Sequence, residues 1–190
     1  MPVTSPASPN ADVSVRTAWP ADADALAGAQ VRAWRDTYAE VLPAEVLDHL
    51  DTEAIAQQWR LSMAKPGDAR NRLLVALERA SVRGFAVTGP SPDPDADAVR
   101  DGEVVELVVD PEHRGAGHGS RLMQACVDTL RADRFAHGRT WVASTDDSGR
   151  EFLISAGWGP DGAHRELDLH GDGSVLVKQV RLHTDLGEGA

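Results

Sequence analysis

Two adjacent stretches carry the residue types that could do chemistry. Val104–Val109 holds five β-formers and one carboxylate, Glu106. After Asp110 and Pro111 the chain passes through Arg114, Gly115, Ala116, Gly117, His118, Gly119 and Ser120 into a segment with helical periodicity. A strand, a glycine-rich turn and a helix in that order leave unpaired N–H groups at a helix N-terminus, where the helix dipole adds partial positive charge. Phosphate binds such a terminus, and glycines let it approach the backbone closely. Two rival motifs do not fit. In G-x-G-x-x-G terms, Gly115 and Gly117 lead to Ser120, and Gly117 and Gly119 lead to Leu122; a P-loop needs a lysine, and the stretch has none. A glycine-rich turn that binds nothing is the competing reading.

The pattern Arg114-x-x-Gly117-x-Gly119, directly after Val109-x-Pro111, resembles the pyrophosphate loop of the GNAT superfamily of acyl-CoA-dependent N-acetyltransferases, Gln/Arg-x-x-Gly-x-Gly/Ala. V-R-A-W-R-D-T-Y at Val31–Tyr38, V-L-P-A-E-V-L-D at Val41–Asp48 and F-A-V-T-G-P-S-P-D-P-D-A at Phe85–Ala96 are similar to one bacterial branch. The resemblance spans about Val13–Asp185 and is strongest from Glu103 to Trp158. It implies acetyl transfer from acetyl-CoA to a primary amine, on a small molecule or a peptide. It further implies that the backbone of Leu107, Val108 and Val109, on a strand splayed by a bulge, holds the pantetheine arm and polarises the thioester carbonyl. The N–H groups of Gly115, Ala116, Gly117, His118, Gly119 and Ser120 would hold the pyrophosphate, with Arg114 adding charge at its edge. His118 departs from the usual Ile or Val, and its ring is expected in solvent or near the phosphates. A homodimer is the family's habit.

An amine with pKa near ~10.4 must lose a proton before it attacks, and a carboxylate can accept it, directly or through water. Glu106 is the charged side chain inside the central strand, on the opposite face from Val105 and Leu107; burying a charge there is costly unless it has a use. Glu103, at the strand's start, is the second candidate. The alternative is that both simply reach solvent. The family's Tyr, four residues before the Gly of Gly157-Trp158, is here Leu153, and its Asn seven residues earlier is Asp146. Tyr38, the chain's single tyrosine, is the substitute acid or acceptor-site residue, with Ser155 a weaker one. The Leu153 departure keeps a second function class open, an acyl-CoA-binding sensor with little catalysis. Transfer of a longer acyl group is a third.

These residues need a scaffold. Val13–Arg16 alternates as a strand; Pro20 opens a helix; Pro43 and Asp51-Thr52 start two more, the former with Val46, Leu47 and Leu50 on one apolar face. Leu73–Glu78 and Gly84–Thr88 read as antiparallel strands. Gly89–Gly102, with three acids and two prolines in SPDPDAD, reads as a solvated loop that could draw a cationic amine toward the site. Leu122, Cys126, Val127 and Leu130 make a buried helical stripe. Thr140–Ser144 is a strand, Asp146 starts a helix, and a last hairpin turns at His170–Gly173. The order β, α, α, α, β, β, β, α, β, α, β, β allows one parallel crossover, at the central strand. The fold class is α/β: a mixed sheet with helices on both faces, the GNAT acyltransferase fold.

Composition narrows the partners. At 190 residues the expectation is a tail over 1–12, one domain over 13–185 and a frayed end over 186–190. No apolar run nears the ~20 residues of a membrane span, and the first twelve residues lack a secretory signal's apolar core. A net charge of −11 argues against nucleic acid. One cysteine, Cys126, fits a reducing cytoplasm. His113, His118 and Cys126 make no convincing metal set, so no metal is expected.

Overall fold

The computed structural model describes residues 13–39, 42–168, 173 and 175–187. The strands are β1 (Val13–Thr17), β2 (Arg72–Glu78), β3 (Ser81–Pro90), β4 (Asp101–Val109), β5 (His137–Ala143), β6 (Gly159–Asp168) and β7 (Leu176–Asp185). The helices are α1 (Ala23–Thr37), α2 (Ala44–Asp48), α3 (Thr52–Ala64), α4 (His118–Ala132) and α5 (Asp147–Ser155). One sheet runs β1-β2-β3-β4-β5-β7-β6. Only β4 and β5 pair in parallel; every other neighbour pair is antiparallel.

Local chemistry explains the helix starts. Pro20 initiates a single 3-10 turn, and the α-helix proper begins three residues later than Pro20 itself. Asp22 accepts from the Trp19 N–H at 2.7 Å and from Arg16 at 2.7 and 3.0 Å. The Asp51 side chain caps α3 by accepting from the Ala54 N–H, and Asp146 caps α5 by accepting from the Gly149 N–H.

α4 and α5 cover one face of the sheet. Leu122, Met123, Cys126 and Leu130 from α4 and Leu153 from α5 bury with Leu74, Ala86, Val104, Val142 and Leu182. Each fully buried leucine contributes about 1.5–3 kcal/mol. α1 and α3 cover the other face, but only over the β1–β4 half, where Leu26 and Ala33 meet Val75, Phe85 and Val108, and Trp59 packs against them. Over β5–β7 that second face has no helix. The 91–100 segment lies there instead.

Most of that segment is exposed, as expected of a solvated loop, but two of its acids are engaged by the sheet. The Asp93 side chain, 6% exposed, receives Arg181 at 2.9 Å and the Trp141 indole at 3.1–3.2 Å. The more exposed Asp95 takes Arg181 through two nitrogens at 2.7 Å and Arg139 at 3.0 Å. These acids neutralise arginines that alternation places on the uncovered face and so hold the segment down as a strap. Two further corrections follow. Of the apolar face assigned to Val46, Leu47 and Leu50, only Leu47 is buried. Leu186 is no frayed end: it is 4% exposed in the core, and its N–H donates to Ala136 O. The 1–12 tail and the His170–Gly171–Asp172 turn lie outside the described residues.

The sheet forks at its centre. β4 pairs with β5 only over Asp101–Val104, whereas β5 pairs with β7 as far as Ala143. Opposite β3, Val87 faces Glu106 and Thr88 faces Val104, so Val105 is an extra residue in β4. A bulge of this kind bends its strand away from a neighbour. Thr140 Oγ1 donates to Val104 O at 2.9 Å, at the apex of the fork. From Val105 to Val109 the β5-side edge of β4 has no strand partner.

Candidate active site

The open edge leads into the glycine-rich loop. Gly117 sits at φ +82° as the residue preceding α4, and Gly115 at φ +77°. Both values lie in the left-handed region, where a side chain costs about 1–2 kcal/mol. Among the described residues, the N–H groups from Gly115 to Ser120 meet no backbone acceptor; the first amide of α4 so satisfied is that of Arg121, on Gly117 O at 3.2 Å. At Gly119 a Cβ would make only ordinary contacts, 3.5 Å from Val109 and 3.7 Å from Phe152, so the demand for glycine falls on Gly115 and Gly117. Beside the loop, a cleft of about 250 Å³ opens between α4 and α5, lined by Ser120, Met123, Gln124, Val127, Phe152, Ser155 and Ala156. Outward amides, a free strand edge and this cleft suit an elongated ligand with an anionic end.

Three side chains here differ from expectation. His118 points neither to solvent nor to the anion position: it is 1% exposed, both ring nitrogens lack partners, and burial lowers its pKa. It fills a position where the packing calls for an apolar side chain, and the backbone amide it contributes is unaffected. Arg114 donates to Asp36 of α1 at 2.5 Å instead of standing over the loop. Arg121, not singled out from the sequence, approaches the loop more closely. Its guanidinium reaches Ala116 O at 3.4 Å and lies 2.6 Å from where a Gly117 Cβ would be. The signal was an arginine one helical turn past Gly117, but helix surfaces are full of arginines.

Glu106 lies on the face covered by α1. Gln30 and Trp34, four residues apart on that helix, donate to it, and Tyr38, the helix's C-terminal cap residue, feels its charge. The Gln30 amide donates to it at 3.4 Å and the Trp34 indole also donates to it. The Trp59 indole donates to Gln30 Oε1 at 2.9 Å. Desolvation raises the Glu106 pKa, and the two donors only partly offset this. Tyr38 is half-buried, and burial, then the Glu106 charge, raises its pKa, so the phenol keeps its proton. Glu106 is half-buried and hydrogen-bonded rather than fully solvated. Glu103 does not reach solvent: it is 3% exposed, accepts from Ser91 Oγ at 2.8 Å, and has its pKa raised mainly by burial. Glu103 is sealed beneath the strap, one residue before the fork's apex at Val104. The Glu106 charge reaches Tyr38, whereas the side chain that donates to Glu103 is Ser91.

Comparison with known proteins bears on what this arrangement belongs to. The family model described as "Acetyltransferase (GNAT) family" matches residues 31–156, about two thirds of the chain. The chain belongs to the GNAT acetyltransferase family. It is 27% identical over 136 residues to the uncharacterised N-acetyltransferase YuaI of Bacillus subtilis, covering 72% of this chain and 75% of the relative. The ribosomal-protein-alanine N-acetyltransferase of Brucella melitensis superposes with TM-score 0.69 at 20% identity, covering 90% and 99% of the two chains. The structure of yncA from Salmonella typhimurium with its cofactor acetyl-CoA superposes with TM-score 0.67 at 18% identity, covering 94% and 96%. These two likenesses bear on fold alone.

As a GNAT protein the chain is an acyltransferase, and its departures from the family pattern now have structural content. Leu153 is 7% exposed and part of the core, so no hydroxyl stands at that point of α5. Asp146 serves α5 as its cap. Cys126 is buried in the same core and its thiol is pushed up to about 12, which leaves it inert. Asp110, Glu112 and His113 bring possible ligand atoms within 4.8 Å of one another. Asp110, however, already accepts three contacts from Arg32, at 2.6, 3.1 and 3.2 Å.

Proposed function

We propose that the protein transfers the acetyl group of acetyl-CoA to a primary amine by direct attack, with Glu106 as the proton acceptor. The observation that carries this is the double use of β4. Within five residues the strand offers an unpaired backbone edge and, on its α1 face, a partly desolvated carboxylate. When bound, acetyl-CoA supplies the activated thioester. The amides of Leu107–Val109 are suited to hold its pantetheine arm and polarise the carbonyl. Those of Gly115–Ser120, with Arg121 and, once released from Asp36, Arg114, are suited to its pyrophosphate.

At neutral pH an amine of pKa ~10.4 is free base only to about one part in a thousand. Glu106 removes the proton, and its upward-shifted pKa narrows the gap across which the proton moves. Tyr38, protonated and beside Glu106, is the candidate donor toward the departing sulfur or the orienting contact for the acceptor. The thiol's own pKa of ~8.5 makes it a tolerable leaving group, so a Leu at position 153 slows the reaction rather than forbids it. Trp34, Tyr38 and the Glu106 carboxylate make a wall that favours a cationic acceptor, on a small molecule or a peptide. A buried free thiol and the acidic surface fit a cytoplasmic setting.

Release of free thiol from acetyl-CoA across a panel of diamines, amino acids and peptide N-termini tests the reading. Turnover of any member, reduced at least about 100-fold in Glu106→Gln, supports it. The core position of Leu153 favours a second reading, an acyl-CoA-binding module without catalysis. Tight CoA binding with no thiol release over the whole panel would select that one.

A further inference from the structure

A carboxylate that serves as a base must be ionised before the acceptor arrives, yet burial works against ionisation at Glu106. The residues around it supply an answer. An indole N–H can only donate. Trp59 donates to one end of the Gln30 amide at 2.9 Å, so that end must be Oε1. The other end, which faces Glu106 Oε1 at 3.4 Å, is then the NH₂ group. The reversed amide would set N–H against N–H at Trp59 and oxygen against oxygen at Glu106, losing both bonds. Amide orientation is decided by the hydrogen-bond network, and here the network admits one answer.

Trp59 is itself anchored. Its ring meets the fully buried Phe85 edge-on, with centroids 5.2 Å apart and planes at 70°. Gln30 is 6% exposed, so water does not compete for its amide. Tyr38 is the titratable group facing Glu106 from α1, and it stays neutral. No charged group of α3 or β3 is among those that act on Glu106.

We infer that Gln30 is a positioning residue: locked by Trp59, its amide can only donate to Glu106, and beside the Trp34 donor it favours the ionised carboxylate and aims it at the acceptor side of the fork. The inference rests on the proposed role of Glu106, but its test does not. Carbon-13 labelling of glutamate carboxyls allows Glu106 to be titrated directly by NMR, its signal identified by its loss in Glu106→Gln. Gln30→Met keeps the volume and removes the donor; the Glu106 midpoint is expected to rise by about one pH unit. Trp59→Phe keeps the packing on Phe85 and deletes only the lock. The freed amide can then flip, and a smaller rise in the same direction is expected. This second variant carries the test if Gln30→Met does not fold.

In turnover, Gln30→Met is expected to lose rate near about pH 6 and to recover it near about pH 8.5, which a damaged fold would not do. A Glu106 midpoint within about 0.2 units of wild type in both variants overturns the inference. Loss of the midpoint shift leaves the base assignment standing. Full thiol release by Glu106→Gln, with the midpoint shift intact, removes the base assignment and leaves Gln30 as the residue that controls this carboxylate.

Discussion

Replacing Gly117 by Glu isolates the anion-binding claim. The backbone there is at φ +82°, so any side chain adds about 1–2 kcal/mol of strain. That strain is present with or without ligand. It therefore lowers the melting temperature, by about 2–8 °C for a chain of this size, and leaves affinity alone. Charge acts on affinity. A Cβ at Gly117 falls 2.6 Å from the Arg121 guanidinium, so the new carboxylate reaches Arg121 and occupies the anion position itself. A carboxylate about 5 Å from a phosphate, at an effective dielectric of about 20, costs roughly 3 kcal/mol. Diverting Arg121 removes a charged hydrogen bond of about 1.5–3 kcal/mol. Together these weaken CoA binding by about 10³-fold or more. Titration calorimetry with CoA reads the affinity, and Gly117→Ala supplies the control. Alanine carries the same strain without the charge, so its melting point should fall similarly while CoA binding weakens no more than about tenfold. A folded Gly117→Glu protein binding CoA within about threefold of wild type would refute the reasoning.

Other outcomes are expected from the same geometry. Glu106→Gln should lower turnover by about 100-fold or more with CoA affinity unchanged in calorimetry, because the carboxylate lies on the α1 face and not in the α4–α5 cleft. Tyr38→Phe should reduce turnover without altering the melting temperature by more than a degree or two; an unchanged rate removes Tyr38 from the site. Arg181→Ala strips the Asp93 side chain, 6% exposed, of its nearest cation, removes the Asp161 pair and leaves Asp95 with Arg139 alone, so denaturant unfolding should show a loss of about 3–5 kcal/mol. His118 has a depressed pKa when folded, so below about pH 6.5 the unfolded chain binds the extra proton and stability falls with pH. His118→Leu should flatten that decline between about pH 7.5 and 5.5 and leave CoA affinity intact, since only its backbone amide faces the loop.

The amino-acid sequence alone carried the periodicities and the punctuation. Pro43, Asp51 and Asp146 marked helix starts because a missing N–H or a capping carboxylate acts within a few residues. Leu122, Cys126 and Leu130 declared a buried stripe because helical spacing determines which residues share a face. The glycines before α4, Gly115 and Gly117, were legible for the same reason: a demand for positive φ is local. What no local rule supplies is the meeting of distant segments. The fork opens one residue after Val104, at a bulge that exists only because β3 and β4 pair in a particular register. Asp93 and Asp95 read as a solvated acidic run until Arg139 and Arg181, some 44 to 88 residues away, came to lie beneath them. His118 resembled a surface residue by type, and the closure of α4 onto the sheet buried it. Gln30 was simply a polar position on a helix; the orientation that lets its amide donate to Glu106 follows from an indole on a different helix. Hydrogen bonds and desolvation depend on where groups lie in space, so the tertiary structure decided those.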